Sequence, residues 1–480
     1  MPRPVSLFVC QSCGAQTRQF FGRCNSCGSW NSLVEQAAPR EDGRRRRAGA
    51  DPSTAPSARR SKAIAELGDQ PLQRLASGYG ELDRVLGGGL VPGSLVLVGG
   101  DPGIGKSTLL LQSAAWMAGQ RSVLYVSAEE SAAQVRLRWQ RLQEASSQEA
   151  SSQEGASQDK SAELQLLAET DLELVLEELE ALRPEVAIID SIQALHDADL
   201  SSAPGSVAQV RECAAALQRL AKRQNTALLL VGHVTKEGVL AGPKVLEHLV
   251  DAVLTFEGDR FASHRLLRAV KNRFGATHEL GVFEMRGQGL AEVGNPSALF
   301  LSGDQASGVS TIVACEGTRP LVVDLQALVS TTSYASPRRT ATGIAVNRLH
   351  QILAVLEKHM GLPLSRYDCY LAVAGGLEVE EPAADLGVAA AVVASYRDLT
   401  LPDGTVLLGE LGLGGQLRPV SQLELRLQEA VRLGFRRAVV PRGSGLGRLA
   451  SALDLELLEA ARITEALVMA LGVDPADDRA

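Results

Sequence analysis

Three groups of residues in this 480-residue chain have the types and spacing to do chemistry. In the first, Gly100, Asp101, Pro102, Gly103, Ile104, Gly105, Lys106, Ser107 and Thr108 form a G-x4-G-K-[ST] loop between an apolar run and a helical one. Glycines let such a loop turn its backbone N–H groups toward phosphates, and the following helix adds the positive end of its dipole. Lys106 is then placed to reach the β and γ phosphates of a nucleotide, and Ser107 to hold Mg2+. Asp190 ends the apolar run VAIID, where an acidic residue would support Mg2+ and its waters. Glu129 and Glu130 follow LYVSA, and a carboxylate there could polarise an attacking water. Spacing favours Glu129, with a solvated pair as the alternative. His233 closes LLLVGH, either sensing the γ phosphate or standing as a plain polar strand end.

The second group is Cys10, Cys13, Cys24 and Cys27, a C-x2-C, ten residues, then C-x2-C. Two residues between cysteines make a knuckle that aims both thiolates at one ion, and two knuckles complete a tetrahedral Zn2+ shell. So short a segment has too few apolar residues to fold without a metal, which weighs against reduced structural cysteines or two disulfides. Phe20, Phe21 and Trp30 are expected to pack around this ribbon, with Arg18 and Arg23 lying on it. The third group is KNRFG, residues 271–275, directly after HRLLRAV. At the end of a strand, Lys271 and Arg273 fall on one face. Taken alone, the pair reads as a solvated strand end.

These residues need a scaffold. From about Leu75 to Gly294, SLVLVGG, SVLYVSAEE, EVAIIDSI and TALLLVGHV alternate with helix-period segments such as STLLLQSAAWMAG and VRECAAALQRLAKRQ. That alternation predicts an α/β fold, a largely parallel sheet with helices on both faces. Composition divides the chain into a ribbon over 1–35, a flexible basic linker over 36–66, the nucleotide-binding domain over 67–294 and a mixed α+β domain over 295–480. EASSQEASSQEGASQDKS, 144–161, is too polar to build a core and is expected to be a disordered insertion.

Formal net charge is −8, yet residues 1–62 carry 11 Lys or Arg against 4 Asp or Glu. The acidic body argues against a general nucleic-acid coat. Arg44 to Arg47 read as a solvated spacer with weak, salt-sensitive affinity. Cys213, Cys315 and Cys369 are scattered, which does not suit a disulfide scaffold and fits a reducing cytoplasm. No apolar run approaches a membrane span, so a cytoplasmic protein without a membrane role is expected.

SGYGELDRVLGGGLVPGSLVLVGGDPGIGKSTLLLQ, VSAEES and IIDSIQAL together resemble the RecA-type core shared by recombinases, ring helicases of the DnaB kind and clock ATPases of the KaiC kind. With the four-cysteine ribbon in front and KNRFG behind, the chain resembles the bacterial RadA (Sms) family of DNA repair and recombination proteins over nearly its whole length. The polar insertion is the main departure. The resemblance implies a catalytic Glu129, a Walker B Asp190 and a family signature at 271–275. It also implies a hexameric homo-oligomer with ATP between subunits, moving along single-stranded and branched DNA and extending intermediates begun by the RecA recombinase. In such a ring Lys271 and Arg273 would reach the γ phosphate of the adjacent subunit, where cations stabilise the charge of the transferring phosphoryl group. Contact with DNA is the other role open to them. A regulatory ATPase of the clock type is the competing reading, against which the ribbon and KNRFG argue.

The final domain resembles the proteolytic domain of Lon. Where those peptidases carry a serine in G-P-S-A-G, this sequence reads EPAAD, Glu381 to Asp385, with Ala383 at the nucleophile position. Glu424, within SQLELRL, stands where the activating lysine is expected. A domain without either group is expected to be a ring-forming platform and not an active protease. Arg338, Arg339 and Arg348 are its candidates for DNA contact.

Overall fold

The computed structural model describes residues 6–37 apart from 11–14, 18 and 31–32, and residues 73–472 apart from 151–163, 234–242, 259–262, 278, 302, 304–305, 335 and 444–452. Two compact units, Met1–Glu292 and Val293–Ala480, divide the chain. Among the described residues no helix is long and apolar enough to cross a membrane.

The ribbon is three short strands, with β1 (Ser6–Cys10) pairing antiparallel with both β2 (Gln16–Thr17) and β3 (Leu33–Ala37). Its core is Cys10, Cys24 and Leu33, with Phe8 and Ala15 packed against them. Of the three rings expected to pack around it, Phe20 meets Phe8 edge-on at 5.6 Å between centroids and Trp30 lies under the Arg23 guanidinium at 5.8 Å, yet Phe20, Phe21 and Trp30 remain 59%, 37% and 73% exposed. So small a core is filled by two cysteines and a leucine, and the large rings stay on its surface.

The first unit continues through α1 (Gly80–Leu86), β4 (Leu95–Gly100), α2 (Lys106–Ala118), β5 (Val123–Ser127), α3 (Ala132–Ala150), β6 (Gln165–Ala168), α4 (Leu172–Leu182) and β7 (Val186–Asp190). There follow α5 (Val207–Gln224), β8 (Ala227–Val231), α6 (Pro243–Leu246), β9 (Ala252–Glu257), β10 (His264–Asn272), β11 (Leu280–Arg286) and β12 (Gly289–Glu292). The strands β4 to β12 make one sheet in the order β12-β11-β10-β9-β4-β8-β7-β5-β6. From β9 to β6 all pairs are parallel, and β10, β11 and β12 add an antiparallel flank. Apolar runs such as LVLV and VAII suit strands covered on both faces. Leu109, Tyr125 and Phe256 pack on one face of the sheet, and Val126, Val210 and Leu217 on the other. Each such side chain contributes about 1.5–3 kcal/mol on full burial. Caps fix the helix starts: Asp171 accepts from the Glu173 N–H at 2.8 Å, and Ser206 from that of Gln209 at 3.4 Å. Helix α3 runs through 144–150, the first part of the segment expected to be disordered. Ala, Gln and Glu there carry no helix breaker, so the helix continues.

In the second unit β13 (Val309–Glu316), β14 (Arg319–Thr331), β15 (Arg339–Thr342) and β16 (Tyr367–Val373) form a mixed sheet in the order β13-β14-β16-β15. Helices α7 (Val346–Met360) and α8 (Asp385–Arg397) belong to the same half. The other half pairs β17 (Thr405–Leu407), β20 (Arg437–Pro441) and β21 (Glu456–Ala460) in parallel. The small hairpin β18 (Glu410–Leu411) with β19 (Leu417–Arg418) and helices α9 (Leu423–Arg432) and α10 (Ile463–Leu471) complete it.

Candidate nucleotide and zinc sites

β4 delivers the GDPGIGKST loop to the start of α2. Gly100, Gly103 and Gly105 take φ of 150°, 78° and 117°. A Cβ at Gly100 would lie 2.5 Å from the Phe256 carbonyl oxygen and one at Gly105 2.8 Å from Met285 Cε, whereas nothing lies within 4 Å of Gly103. The loop is pressed against the sheet on one side and open on the other, as phosphate approach to its N–H groups requires. Lys106, 3% exposed, donates to the carbonyl oxygens of Gly100 at 2.8 Å and Asp101 at 2.9 Å. Burial lowers its pKa, while Asp190, Glu129 and Asp101 pull the other way. Held on neutral carbonyls, this ammonium is placed to pair with an arriving anion.

Two acidic strand ends face this lysine. Asp190 ends β7 and accepts from the Tyr125 hydroxyl at 2.6 Å. Burial, reinforced by Asp190, raises the Tyr125 pKa well above its ordinary value, so the phenol remains a donor. Glu129 accepts from the Ser191 hydroxyl and lies 3.0 Å from His233 Nε2. The His233 hydrogen bond, with that of Ser191 and the charge of Lys106, lowers the Glu129 pKa against the opposing effect of burial. Glu130 turns away: its carboxylate pairs with Arg138 of α3. The structure thus brings Lys106, Glu129, Asp190 and His233 together and separates Glu130 from them. Sequence reasoning missed Tyr125, Ser191 and Arg138. Ser191 had one signal, its place directly after Asp190; Tyr125 had none, being one more apolar strand position.

KNRFG lies elsewhere on the sheet. β10 ends at Asn272, so Lys271 is in the strand and Arg273 one residue past it. Lys271 Nζ donates to the carbonyl oxygens of Glu247 at 2.5 Å and Val250 at 2.9 Å, and Arg273 Nη1 lies 2.9 Å from Asp251 Oδ1. Asp251 Oδ2 accepts from the Leu95 N–H, so the cations are parked beside the first residue of β4. Asn272 pairs with Ala252, and Ala252 with Val96. Four residues of strand, about 13 Å at about 3.3 Å each, separate that row from Gly100. Both cations sit at the end of the sheet opposite this chain's own phosphate loop.

In the ribbon, the sulfurs of Cys10, Cys24 and Cys27 lie within 4.8 Å of one another, with Cys10 and Cys27 3.6 Å apart. Zn–S bonds of about 2.3 Å place tetrahedral sulfurs about 3.8 Å apart, so the spacing fits the metal. The Ser26 N–H donates to Cys24 Sγ at 3.4 Å, and Arg23 Nε to the Gly28 carbonyl at 2.9 Å, holding the knuckle. Cys13, the fourth expected ligand, lies outside the described residues, as do Arg18 and Arg44 to Arg47.

The second unit corrects two expectations. The α9 residue that faces the Ala383 stretch is Arg426, not Glu424: Leu423, Arg426, Leu427 and Ala430 share the buried face, while Glu424 bonds Gln428 at the surface. Arg426 is fully buried and grips both oxygens of Glu381 and the carbonyls of Val313 and Ser421. Of the three arginines expected to contact DNA, two are half-buried and engaged within the unit. Arg339 donates to the carbonyls of Tyr367 and Leu364, and Arg348 forks onto the buried Asp385. Arg338 is exposed and stacks over the Tyr334 ring at 3.6 Å from its centroid.

A glycine-rich loop at a strand–helix junction, with Asp190 at the end of β7 and Glu129 two residues past the end of the neighbouring β5, defines a RecA-like P-loop ATPase, an ATP-hydrolysing enzyme that uses Mg2+. The AAA domain family matches residues 61–239 and the rubredoxin metal binding domain family residues 8–35, which with the thiol cluster makes the ribbon a Zn2+ site. The family of subunit ChlI of Mg-chelatase matches 340–444, and the second unit is ChlI/Lon-like. The DNA repair protein RadA of Synechocystis sp. is 55% identical over 98% of this chain and 95% of its own length. That of Bacillus subtilis is 45% identical over 98% of this chain and 100% of its own length. The chain belongs to the family of DNA repair protein RadA. Among solved structures, a KaiC-like protein from Pyrococcus horikoshii is similar at a TM-score of 0.36 and 19% identity, over 46% of this chain and all of its own.

Proposed function

We propose that the protein is a DNA-dependent ATPase motor, a ring-type translocase or helicase that promotes branch migration or extension of recombination intermediates made by the RecA recombinase. Single-stranded and branched DNA are its substrates, and a cytoplasmic homohexamer its working form. The observation that carries this reading is the position of Lys271 and Arg273, one sheet length away from their own phosphate loop. Cations so placed do not serve their own nucleotide. In a head-to-tail ring each pair serves the neighbour's. Arg273 has only to exchange the Asp251 carboxylate for a phosphate oxygen.

In that ring, residues 100–108 hold the triphosphate, with Lys106 on its β and γ phosphates. Ser107 and Asp190 are the residues that would hold Mg2+, which would supply charge neutralisation at the phosphate oxygens. Glu129 takes the proton of the attacking water as its oxygen bonds to the γ phosphorus. The bond to the β–γ bridging oxygen breaks, leaving ADP and phosphate. Lys271 and Arg273 from the adjacent subunit stabilise the charge on the transferring group. The second unit serves as a ring platform without peptidase activity, because Ala383 offers no nucleophile and Arg426 is committed to Glu381. Arg338, stacked on Tyr334, is the second unit's DNA contact in this reading.

The test is ATP hydrolysis with and without single-stranded DNA, for the wild type, Lys106→Ala and Arg273→Ala, at two salt concentrations. A motor shows DNA stimulation that weakens with salt and that both substitutions abolish. Hydrolysis indifferent to DNA would replace the motor with an ATP-gated assembly platform of the clock type.

A further inference from the structure

The KNRFG turn is held from a side that hydrolysis does not use. Helix α1 ends in Gly87, Gly88 and Gly89, with φ of 82°, 110° and 115°. A Cβ at Gly87 would lie 2.9 Å from Gly275 Cα, and one at Gly89 2.7 Å from the Leu75 carbonyl oxygen. Glycine alone lets these three pieces of chain converge: the entry to the domain, the end of α1 and the turn after β10. Asn272, 9% exposed, donates to the Val85 carbonyl at 3.2 Å and accepts from the Phe274 N–H at 2.9 Å. Arg74 ties all three pieces together. Its guanidinium donates to the carbonyls of Phe274 at 2.6 Å, Leu86 at 3.3 Å and Gly89 at 3.4 Å. The next residue, Leu75, exchanges two backbone hydrogen bonds with Leu90, each 2.8 Å, so the base of the arginine is pinned as well.

We infer that Arg74 is a positioning residue for hydrolysis at the neighbouring subunit, fixing the backbone from which Lys271 and Arg273 reach out. The inference rests on the trans role proposed above for those two cations. Their side chains must leave Asp251 and the 247–250 carbonyls to meet phosphate, so the turn itself has to be held by something else. Arg74 does this through backbone carbonyls only and leaves both cations free to move. An arginine is needed because a planar fork with five N–H donors can meet acceptors on separate segments at once, whereas an ammonium is a point donor. Arg74 precedes the Leu75–Leu90 pairing on the N-terminal side of α1, so this stretch also supports the neighbour's active site.

The experiment uses full-length protein and doubly tagged, co-purified mixed assemblies. Arg74→Lys is expected to bind a fluorescent ATP analogue as the wild type does but to hydrolyse ATP on the order of ten- to a hundred-fold more slowly, the cost of a misplaced catalytic group. Mixed with Lys106→Ala protomers, which lack a working phosphate loop but carry intact cations and an intact Arg74, it should recover activity above either variant alone. Arg273→Ala mixed with Lys106→Ala should recover in the same way. A wild-type rate for both Arg74→Lys and Arg74→Ala would overturn the assignment. So would a slow Arg74→Lys that Lys106→Ala does not rescue while the Arg273→Ala pair is rescued, since Arg74 would then merely hold its own fold. Failure of the Arg273→Ala pair would sink the trans role, and the inference with it.

Discussion

Lys106 and Arg426 are both buried cations, 3% and 0% exposed, and the chain treats them in opposite ways. Arg426 meets both oxygens of Glu381 and two carbonyls, and Glu381 in turn accepts from the Cys315 N–H. Arg348 and Asp385 repeat the pattern, with the Leu411 N–H as a further donor to Asp385. Lys106 rests on two neutral carbonyls, with Glu129 and Asp190 near enough to act on its charge but engaged by Ser191, His233 and Tyr125. A buried charge with its own counter-charge is scaffolding, because its desolvation is offset inside the fold. A buried charge left on neutral groups is stabilised fully only when a charged ligand arrives. By that measure Lys106 marks a working site in the first unit, and the Arg426–Glu381 pair beside Ala383 is scaffolding in the second.

The largest effects should fall on the first unit. Lys106→Ala is expected to reduce ATP hydrolysis by on the order of 10^3-fold or more, and Glu129→Gln by on the order of 10^2- to 10^3-fold with nucleotide binding retained. Phosphate release and equilibrium nucleotide binding read the two apart. If Glu129→Gln hydrolysed normally while Glu130→Gln did not, the geometry that ties Glu130 to Arg138 would be misleading and the comparison would break. The second unit should respond in stability instead. Glu381→Ala leaves Arg426 buried without its partner, at a cost of about 3–5 kcal/mol, seen as a lower denaturant midpoint for that unit. Replacing both, Glu381→Leu with Arg426→Met, should cost far less than Glu381→Ala alone. Ala383→Ser should yield no peptide hydrolysis, since Arg426, the basic residue on the buried face of α9, is committed to Glu381; cleavage of an unfolded protein substrate by that variant would show a dormant protease and not a scaffold.

Local signals were legible and register was not. The phosphate loop, Asp190 and the cysteine knuckles are read from adjacent residues because backbone geometry fixes their roles locally. The alternation of apolar runs with helix-period segments likewise sufficed for the parallel sheet. Choosing between Glu129 and Glu130 needed the turn in which the Ser127 hydroxyl donates to the Glu130 carbonyl at 2.7 Å, sending one carboxylate to Ser191 and His233 and the other to Arg138. The parking place of Lys271 and Arg273 depends on how β10 registers with β9 and β4, a long-range pairing that no window of sequence contains. Arg426 was missed because an arginine at an inward helix position breaks the apolar pattern. Only the matching Glu381, forty-five residues earlier in the chain, explains it.

The smallest predicted effect tests the working site most finely. His233 is the first cause of the low pKa of Glu129, ahead of Ser191 and Lys106. A carboxylate with a lowered pKa is an ionised base above that pKa and loses its function only as pH falls through it. Removing the imidazole in His233→Ala takes away the main stabiliser of the ionised form, so the acid limb of the kcat–pH profile should move to higher pH. His233→Gln, which keeps a donor near the carboxylate, should leave the limb closer to its original place. The loss should therefore grow as the solution is acidified and shrink toward alkaline pH. An acid limb that stays put in His233→Ala would mean that His233 does not set the ionisation of Glu129. A uniform loss at every pH would instead make His233 a group that acts on the transferring phosphate itself.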